Sequence, residues 1–233
     1  RSVSRGLGDV YKRQLCRFID MDCLIHSGNT FAYCCNSPAS MHDVCGTTGD
    51  YAYDRDKVIE YGRQYYNKQD PYYPQRSYRN NCVRFASQCL YAGLGDDIIA
   101  EVYPEWHCYR NNQRDPENPE EHDQTRSWRK TNYFYRFLMD SGLAYNTTRL
   151  YSGWDLGLMA EWFQYEPGDF LFFSNGNGAD EFYHVAVVSA ITENDILFMG
   201  NTTDCFDASL TAWFQDPENQ EKEVVIVCIA DQG

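Results

Sequence analysis

The sequence lacks long apolar runs and is poor in positive charge. No apolar stretch approaches the ~20 residues that a membrane-spanning helix needs. Lys and Arg number 20 against 34 Asp and Glu, which gives a formal net charge of −14. Nucleic-acid binders and proteins that bind anionic membranes need basic surfaces. The composition therefore excludes these partners and favours neutral or cationic ligands.

The first 14 residues differ in charge from the rest. They carry four basic residues and one acid, a local charge of +3 against −17 for the remainder. They resemble translated linker sequence, and we expect an artefactual or disordered tail over residues 1–14. The alternative is a genuine basic tail. Residues 1–20 also lack the apolar core of a secretory signal, but the chain begins with Arg1 rather than Met, so this says little about location.

Residues 15–50 are rich in cysteine. Five of the ten cysteines precede residue 46, and the segment has no clean helical or strand period. Cys23 with His26, and His42 with Cys45, have spacings that zinc sites use. No recognised finger pattern lies between the two pairs, so we favour a truncated upstream module whose cysteines pair or stay free. A zinc-dependent interaction module is the alternative.

The first half of the remaining chain predicts helices. Residues 54–67 place apolar side chains on one face after Asp54, a good N-cap. Residues 82–92 form a second amphipathic pattern. A polar, irregular stretch over residues 101–125 predicts a surface loop. A third helix follows, with Ser127 as its N-cap and Gly142 at its end.

The second half predicts strands. Apolar or alternating runs at 170–173, 182–190, 196–201 and 223–230 are separated by tight turns. Helices followed by an antiparallel sheet indicate an α+β fold rather than alternating α/β units. We therefore expect one domain over residues 51–233.

Cys82 opens the second helix, in the stretch "NNCVRFASQCLYAG". A cap from Asn80 or Asn81 would leave Cys82 in the first turn, where the helix dipole and the free N–H groups stabilise a thiolate. A lowered thiol pKa is typical of a cysteine nucleophile. The alternative is that Cys82 is a core residue of the apolar face to which it belongs.

Two further residues complete a candidate constellation. His184 lies early in an apolar strand and shares a face with Ala186, so it is a candidate base for Cys82. Asn201 ends the next strand and would lie across from His184 if the turn centres between residues 192 and 193, but three residues away if it centres on residue 194. A half-buried structural His and a strand-ending Asn are the alternatives.

The chain resembles the bacterial Putative amidase domain family, within the papain-like cysteine hydrolases that include the CHAP and NlpC-type cell-wall enzymes. The family's "DCTNFVSQCLYAGG" is similar to "NCVRFASQCLYAGL" here. The helix "YDRDKVIEYGRQYYN" and the later "SWRKTNYFYRFL", "GDFLFF" and "HVAVV" also resemble the family's motifs, in order and at fitting spacing. The similar segments extend from residue 54 to about residue 212.

Four positions depart from the family pattern. Asn81 stands where the family has Asp, and Val83 and Arg84 replace Thr-Asn. The family's "HTxD" is "NTTD" here, so Asn201 stands where the family usually has His. An Asn can still accept the imidazole N–H and fix its tautomer.

The resemblance implies a cysteine amidase or peptidase with a papain-like fold. Cys82 would form a thioester, His184 would transfer the protons, and Asn201 would orient His184. Asn81 or Tyr78 would assist the oxyanion, and no metal or organic cofactor would be needed. The family suggests a peptide or cell-wall peptide substrate, a monomer, and a secreted or cell-envelope location. The alternative function is an inactive or weakly active binding module on the same fold.

Overall fold

The computed structural model describes residues 53–74, 81–95, 103, 105–108, 124–176 and 181–231. All of them belong to the larger of two units into which the chain divides, Asp50–Gly233. The predictions for the tail 1–14, for the Cys-rich segment 15–50 with its candidate zinc ligands, and for Tyr78 lie outside the described residues.

Helices precede most of the strands, as the sequence predicts. The helices are α1 (Arg55–Tyr65), α2 (Cys82–Leu94), α3 (Arg126–Arg129), α4 (Thr131–Asp140), α5 (Leu156–Phe163) and α6 (Leu210–Gln215). The strands are β1 (Ala144–Tyr151), β2 (Phe170–Ser174), β3 (Phe182–Ile191), β4 (Ile196–Gly200), β5 (Cys205–Ser209) and β6 (Glu223–Ile229). The combination of helices with an antiparallel sheet confirms the α+β class.

Helix α1 forms where its cap and apolar spacing predict it. The Asp54 carboxylate accepts a hydrogen bond from the backbone N–H of Lys57 at 3.1 Å, which satisfies one of the free donors of the first turn. Val58 and Gly62 are buried on the inner face. An added side chain at Gly62 would overlap the thioether of Met199 in β4, so glycine lets α1 approach the sheet closely.

The predicted helix near residue 127 is two helices in the structure. Helix α3 ends before Lys130, whose backbone is extended, and α4 then begins. Ser127 lies inside α3, where its hydroxyl donates to the carbonyl of Glu105 instead of capping. Gly142 follows α4 with a φ of +77°, a left-handed conformation that glycine adopts without strain. The N-cap prediction was wrong and the predicted end is confirmed.

The six strands form one antiparallel sheet in the order β1-β6-β2-β3-β4-β5. Strands β2, β3, β4 and β6 are the four that the sequence predicts. The two edge strands, β1 and β5, were not predicted. Among the helices in the described part of the chain, none combines the length and apolar character needed to cross a membrane.

The two faces of the sheet are covered by different elements. The first face packs against α1, α2 and α4 and carries Phe170, Phe172, Val185, Val187, Met199, Val225 and Val227. On the second face, the ring of Phe173 contacts that of Trp213 in α6, with centroids 4.8 Å apart. Residues opposite each other on neighbouring strands share a face. Since His184 pairs with Phe173, it belongs to the second face.

Candidate active site

Cys82 is the first residue of α2, as predicted, and lies against the middle of the sheet. It exposes 5% of its surface, and the other members of the predicted apolar stripe are also buried. Its thiol lies near the backbone N–H of Val185 in β3 and the hydroxyl of Thr202, and both groups lower its pKa. The thiol therefore meets β3 at the residue that directly follows His184.

The electrostatic surroundings of the thiol differ from the expectation. Burial raises the pKa of the Cys82 thiol above its ordinary value of 9.0. Hydrogen bonds from Val185, from Thr202 and from the first backbone N–H groups of α2 act in the opposite direction but are smaller. The expected lowering of the pKa by the helix end is thus outweighed by desolvation. At neutral pH Cys82 is therefore a thiol rather than a thiolate.

His184 occupies the second face of the sheet. Its ring contacts that of Phe173, with centroids 5.3 Å apart, whereas Val185 faces α2. In the described part of the chain, no side chain or backbone group is hydrogen bonded to the imidazole. Its Nε2 lies 3.8 Å from the position that a Cβ would take on Gly200. Cys82 and His184 therefore approach the same point of β3 from opposite faces.

Burial also determines the charge of His184. Desolvation lowers the pKa of its imidazole from 6.5 to about 4, because the positive form is disfavoured in an apolar surrounding. The ring is consequently neutral at pH 7, which is the form that can accept a proton.

Asn201 is fully buried and links two helices. Its Oδ1 accepts from Nδ2 of Asn81 at 2.5 Å. Its Nδ2 donates to three carbonyls at the C-terminal end of α1, those of Tyr65 at 2.6 Å, Tyr66 at 3.0 Å and Lys68 at 3.0 Å. The Tyr65 carbonyl also accepts a bond from the backbone N–H of Lys68 at 3.3 Å. No further turn of helix binds the carbonyls of Tyr66 and Lys68, so Asn201 satisfies them.

The β3–β4 hairpin has neither of the two registers that the sequence predicts, one for a turn centred between residues 192 and 193 and one for a turn centred on residue 194. A register shift occurs within the hairpin, and the β3–β4 ladder ends at Val187 opposite Met199. Continued in the same register, Asn201 would lie opposite Val185 rather than His184. Within the described residues, Asn201 makes no hydrogen bond to His184. That Asn201 orients the imidazole stays a prediction.

Asn81 has a different role from the predicted cap. It stands at the N-cap position of α2, but its φ of −85° and ψ of −6° are helical, and its side chain makes no capping bond. Its amide Nδ2 donates to Oδ1 of Asn201 instead. Two of the four departures from the family pattern, Asn81 and Asn201, are thus in direct contact.

Thr202 is a site residue that sequence reasoning missed. Its hydroxyl reaches the thiol of Cys82. The signal was present, since Thr202 follows Asn201 in "NTTD", the counterpart of a family motif.

Comparison with known proteins identifies the family. A family model described as Putative amidase domain matches residues 52–225, about three quarters of the chain. The match includes Asn81, Cys82, His184 and Asn201. No curated protein matches the chain, and no solved structure matches it. The chain therefore belongs to the Putative amidase domain family.

Proposed function

We propose that this protein hydrolyses amide bonds through a thioester formed on Cys82, within a papain-like fold. The observation that carries the proposal is the position of the Cys82 thiol. It stands at the N-terminus of α2, where free backbone N–H groups are available, and it lies against β3 next to the largely buried His184. Membership of an amidase family supplies the reaction class.

The reaction begins from a neutral thiol and a neutral imidazole. The Sγ of Cys82 attacks the amide carbonyl while its proton passes to His184, and the carbonyl oxygen becomes an oxyanion. The N–H groups of the first turn of α2 are the donors available to that oxyanion. The tetrahedral intermediate then collapses to a thioester, and the His184 proton leaves with the amine. A water molecule, deprotonated by His184, releases the acid and restores the thiol.

The proton path has a structural requirement. Because His184 and Val185 point to opposite faces, the imidazole has to reach the thiol around the end of the β3–β4 ladder. The ladder stops at Val187, and Gly200 carries no side chain to fill the space beside Nε2 of His184. Transfer at this gap proceeds directly or through one water molecule.

We assign Asn201 a positioning role in the same proposal. It joins the C-terminal end of α1 to Asn81, which immediately precedes the nucleophile. Loss of this link would let the start of α2 move relative to β3. Catalysis is sensitive to such displacements because attack requires near-contact geometry. Asn81 would thus act through the placement of Cys82 rather than as an oxyanion donor.

The substrate class follows from the family and from charge. A peptide amide, including the peptides of bacterial cell walls, fits a cysteine hydrolase of this family, and a secreted or cell-envelope location would fit that substrate. The net charge of −14 favours neutral or cationic substrates over polyanions.

A substrate screen tests the proposal. The wild type and Cys82→Ala are incubated with peptide amides and peptidoglycan fragments, and released amines are quantified. Cys89→Ala is the matched control, since Cys89 is a buried thiol on the same helix. We expect hydrolysis by the wild type and by the Cys89 variant, and none by the Cys82 variant.

The competing function is a binding module without turnover. The raised thiol pKa and the small exposure of Cys82 favour it. Binding of the same peptides by both the wild type and Cys82→Ala, with no amine released by either, would support this module and refute the amidase.

A further inference from the structure

A second thiol lies on the same side of the sheet as His184. Cys205 begins β5 and pairs with Gly200 of β4. Its Sγ lies 3.7 Å from the position that a Cβ would take on Gly200, and Nε2 of His184 lies 3.8 Å from the same point. Among the described residues, no other atom beyond those of the chain neighbours comes within 4 Å of that point. The thiol and the imidazole thus border one small space, which exists because residue 200 has no side chain.

Exposure distinguishes Cys205 from the other described cysteines. It is partly exposed, whereas Cys82, Cys89, Cys108 and Cys228 are buried, and all five are free thiols. Small reagents can therefore reach it. The imidazole beside it is largely buried and has no hydrogen-bond partner among the described residues.

Cys205 needs such a base. Burial raises the pKa of its thiol, and the nearby carboxylate of Asp204 adds to the effect, although the backbone N–H groups of Gly200 and Cys205 lower it. Only a small fraction of Cys205 is then thiolate at neutral pH. A neutral imidazole that accepts the thiol proton during attack would make it reactive.

We propose that Cys205 and His184 form a second thiol–imidazole pair and that Cys205 is a modification site for small soft electrophiles. With iodoacetamide, Sγ of Cys205 forms a bond to the methylene carbon as the carbon–iodine bond breaks. Iodide leaves, and the thiol proton passes to Nε2 of His184 and then to water. The pair lies on the second face of the sheet and does not require Cys82 to be a nucleophile.

Residue-specific alkylation of the full chain tests this pair. Native protein is treated with iodoacetamide at pH 7.5, quenched at intervals and digested, and labelling of each cysteine is followed by mass spectrometry. We expect Cys205 to be labelled first in the wild type. His184→Gln should lower the labelling rate of Cys205 about tenfold or more, since a positioned base typically contributes at least that much.

Gly200→Ala provides a second variant that preserves the fold. Its methyl group would meet the two atoms at ordinary contact distances, and residue 200 is not among the glycines with positive φ. The methyl would occupy the space between imidazole and thiol. We expect an unchanged melting temperature and a loss of Cys205 reactivity similar to that of the His184 variant.

Two results would overturn the pair: equal Cys205 labelling rates in wild type, His184→Gln and Gly200→Ala, or labelling of Cys82 before Cys205. The outcome is separable from the amidase proposal. Cys205→Ser should abolish the fast labelling while amide hydrolysis continues, whereas failure of the amidase would leave the labelling pattern unaffected.

Discussion

Acidification should destabilise this protein partly through His184. The pKa of its imidazole is about 4 in the folded chain and about 6.5 when the chain is unfolded. Between these values the unfolded state binds more protons than the folded state. The stabilisation by neutral His184 is therefore complete above about pH 6.5 and is lost as the pH falls towards 4.

The size of the effect follows from the pKa difference. Each pH unit between the two values changes the free energy of unfolding by about 1.4 kcal/mol, so a loss of about 2 kcal/mol is expected by pH 4.5. Carboxylates also titrate in this range, and the wild type alone cannot separate the contributions. His184→Gln supplies the reference, because glutamine does not titrate and is similar in size.

Urea unfolding of both proteins at pH 7.0, 6.0, 5.0 and 4.5 provides the measurement. The wild type should lose about 2 kcal/mol more than His184→Gln over this range. A constant difference between the two proteins at every pH would refute the argument. It would mean that His184 titrates normally in the folded state and is not held neutral by burial.

Three other substitutions test the packing of the domain, each by urea unfolding at pH 7. Arg55→Ala should cost about 3–5 kcal/mol, because it leaves the fully buried carboxylate of Asp169 without its ion-pair partner; a loss below 1 kcal/mol would contradict this. Gly157→Ala should destabilise by about 1–3 kcal/mol, since its Cβ would overlap the backbone carbonyl of Glu193, and an unchanged midpoint would argue against that close approach. Asn201→Ala should cost about 2–3 kcal/mol, because the carbonyls of Tyr66 and Lys68 and the buried amide of Asn81 lose their partner; near-neutral stability would show that water replaces the amide.

The sequence was sufficient for elements with a strong internal pattern. Helices α1 and α2 combine regular apolar spacing with defined starts, and both appear where expected. The edge strands were missed because they bury little. Strand β1 contains the polar run "NTT" and is mostly half-buried, and β5 has no fully buried residue. A segment of this kind becomes an edge strand by pairing with a neighbouring strand, and its own sequence does not reveal that partner.

The polar stretch around residue 106 shows a second limit. Its composition indicates a surface loop, yet Trp106 is completely buried and its ring stacks on that of Phe137 with centroids 5.0 Å apart. One large aromatic side chain can anchor a polar segment when the core offers a space for it. That space lies among α2, α3 and α4, where Trp106 also contacts Ser87 and Trp128, and the polar segment alone does not reveal it.

The alternation of side chains along β3 predicts some features of the site but not others. The sequence correctly places His184 and Ala186 on one face of β3 and Val185 on the other. It does not say which face receives α2, since both faces are apolar and both are covered. The choice depends on the packing of α1, α2 and α4 against the sheet. Asn81 was expected to cap a helix but binds Asn201, a partner 120 residues away. The local sequence around Asn81 does not reveal that partner.

Detection of the acyl-enzyme tests the nucleophilic role of Cys82 most directly. The protein is mixed with a peptide amide that it cleaves, quenched in acid within milliseconds to seconds, and mapped by mass spectrometry. We expect a thioester of the acyl fragment on the peptide that contains Cys82, formed before the free acid accumulates and lost on treatment with hydroxylamine. Steady release of product with Cys82 unmodified at every time point, or an acyl group carried by Cys205, would contradict that role.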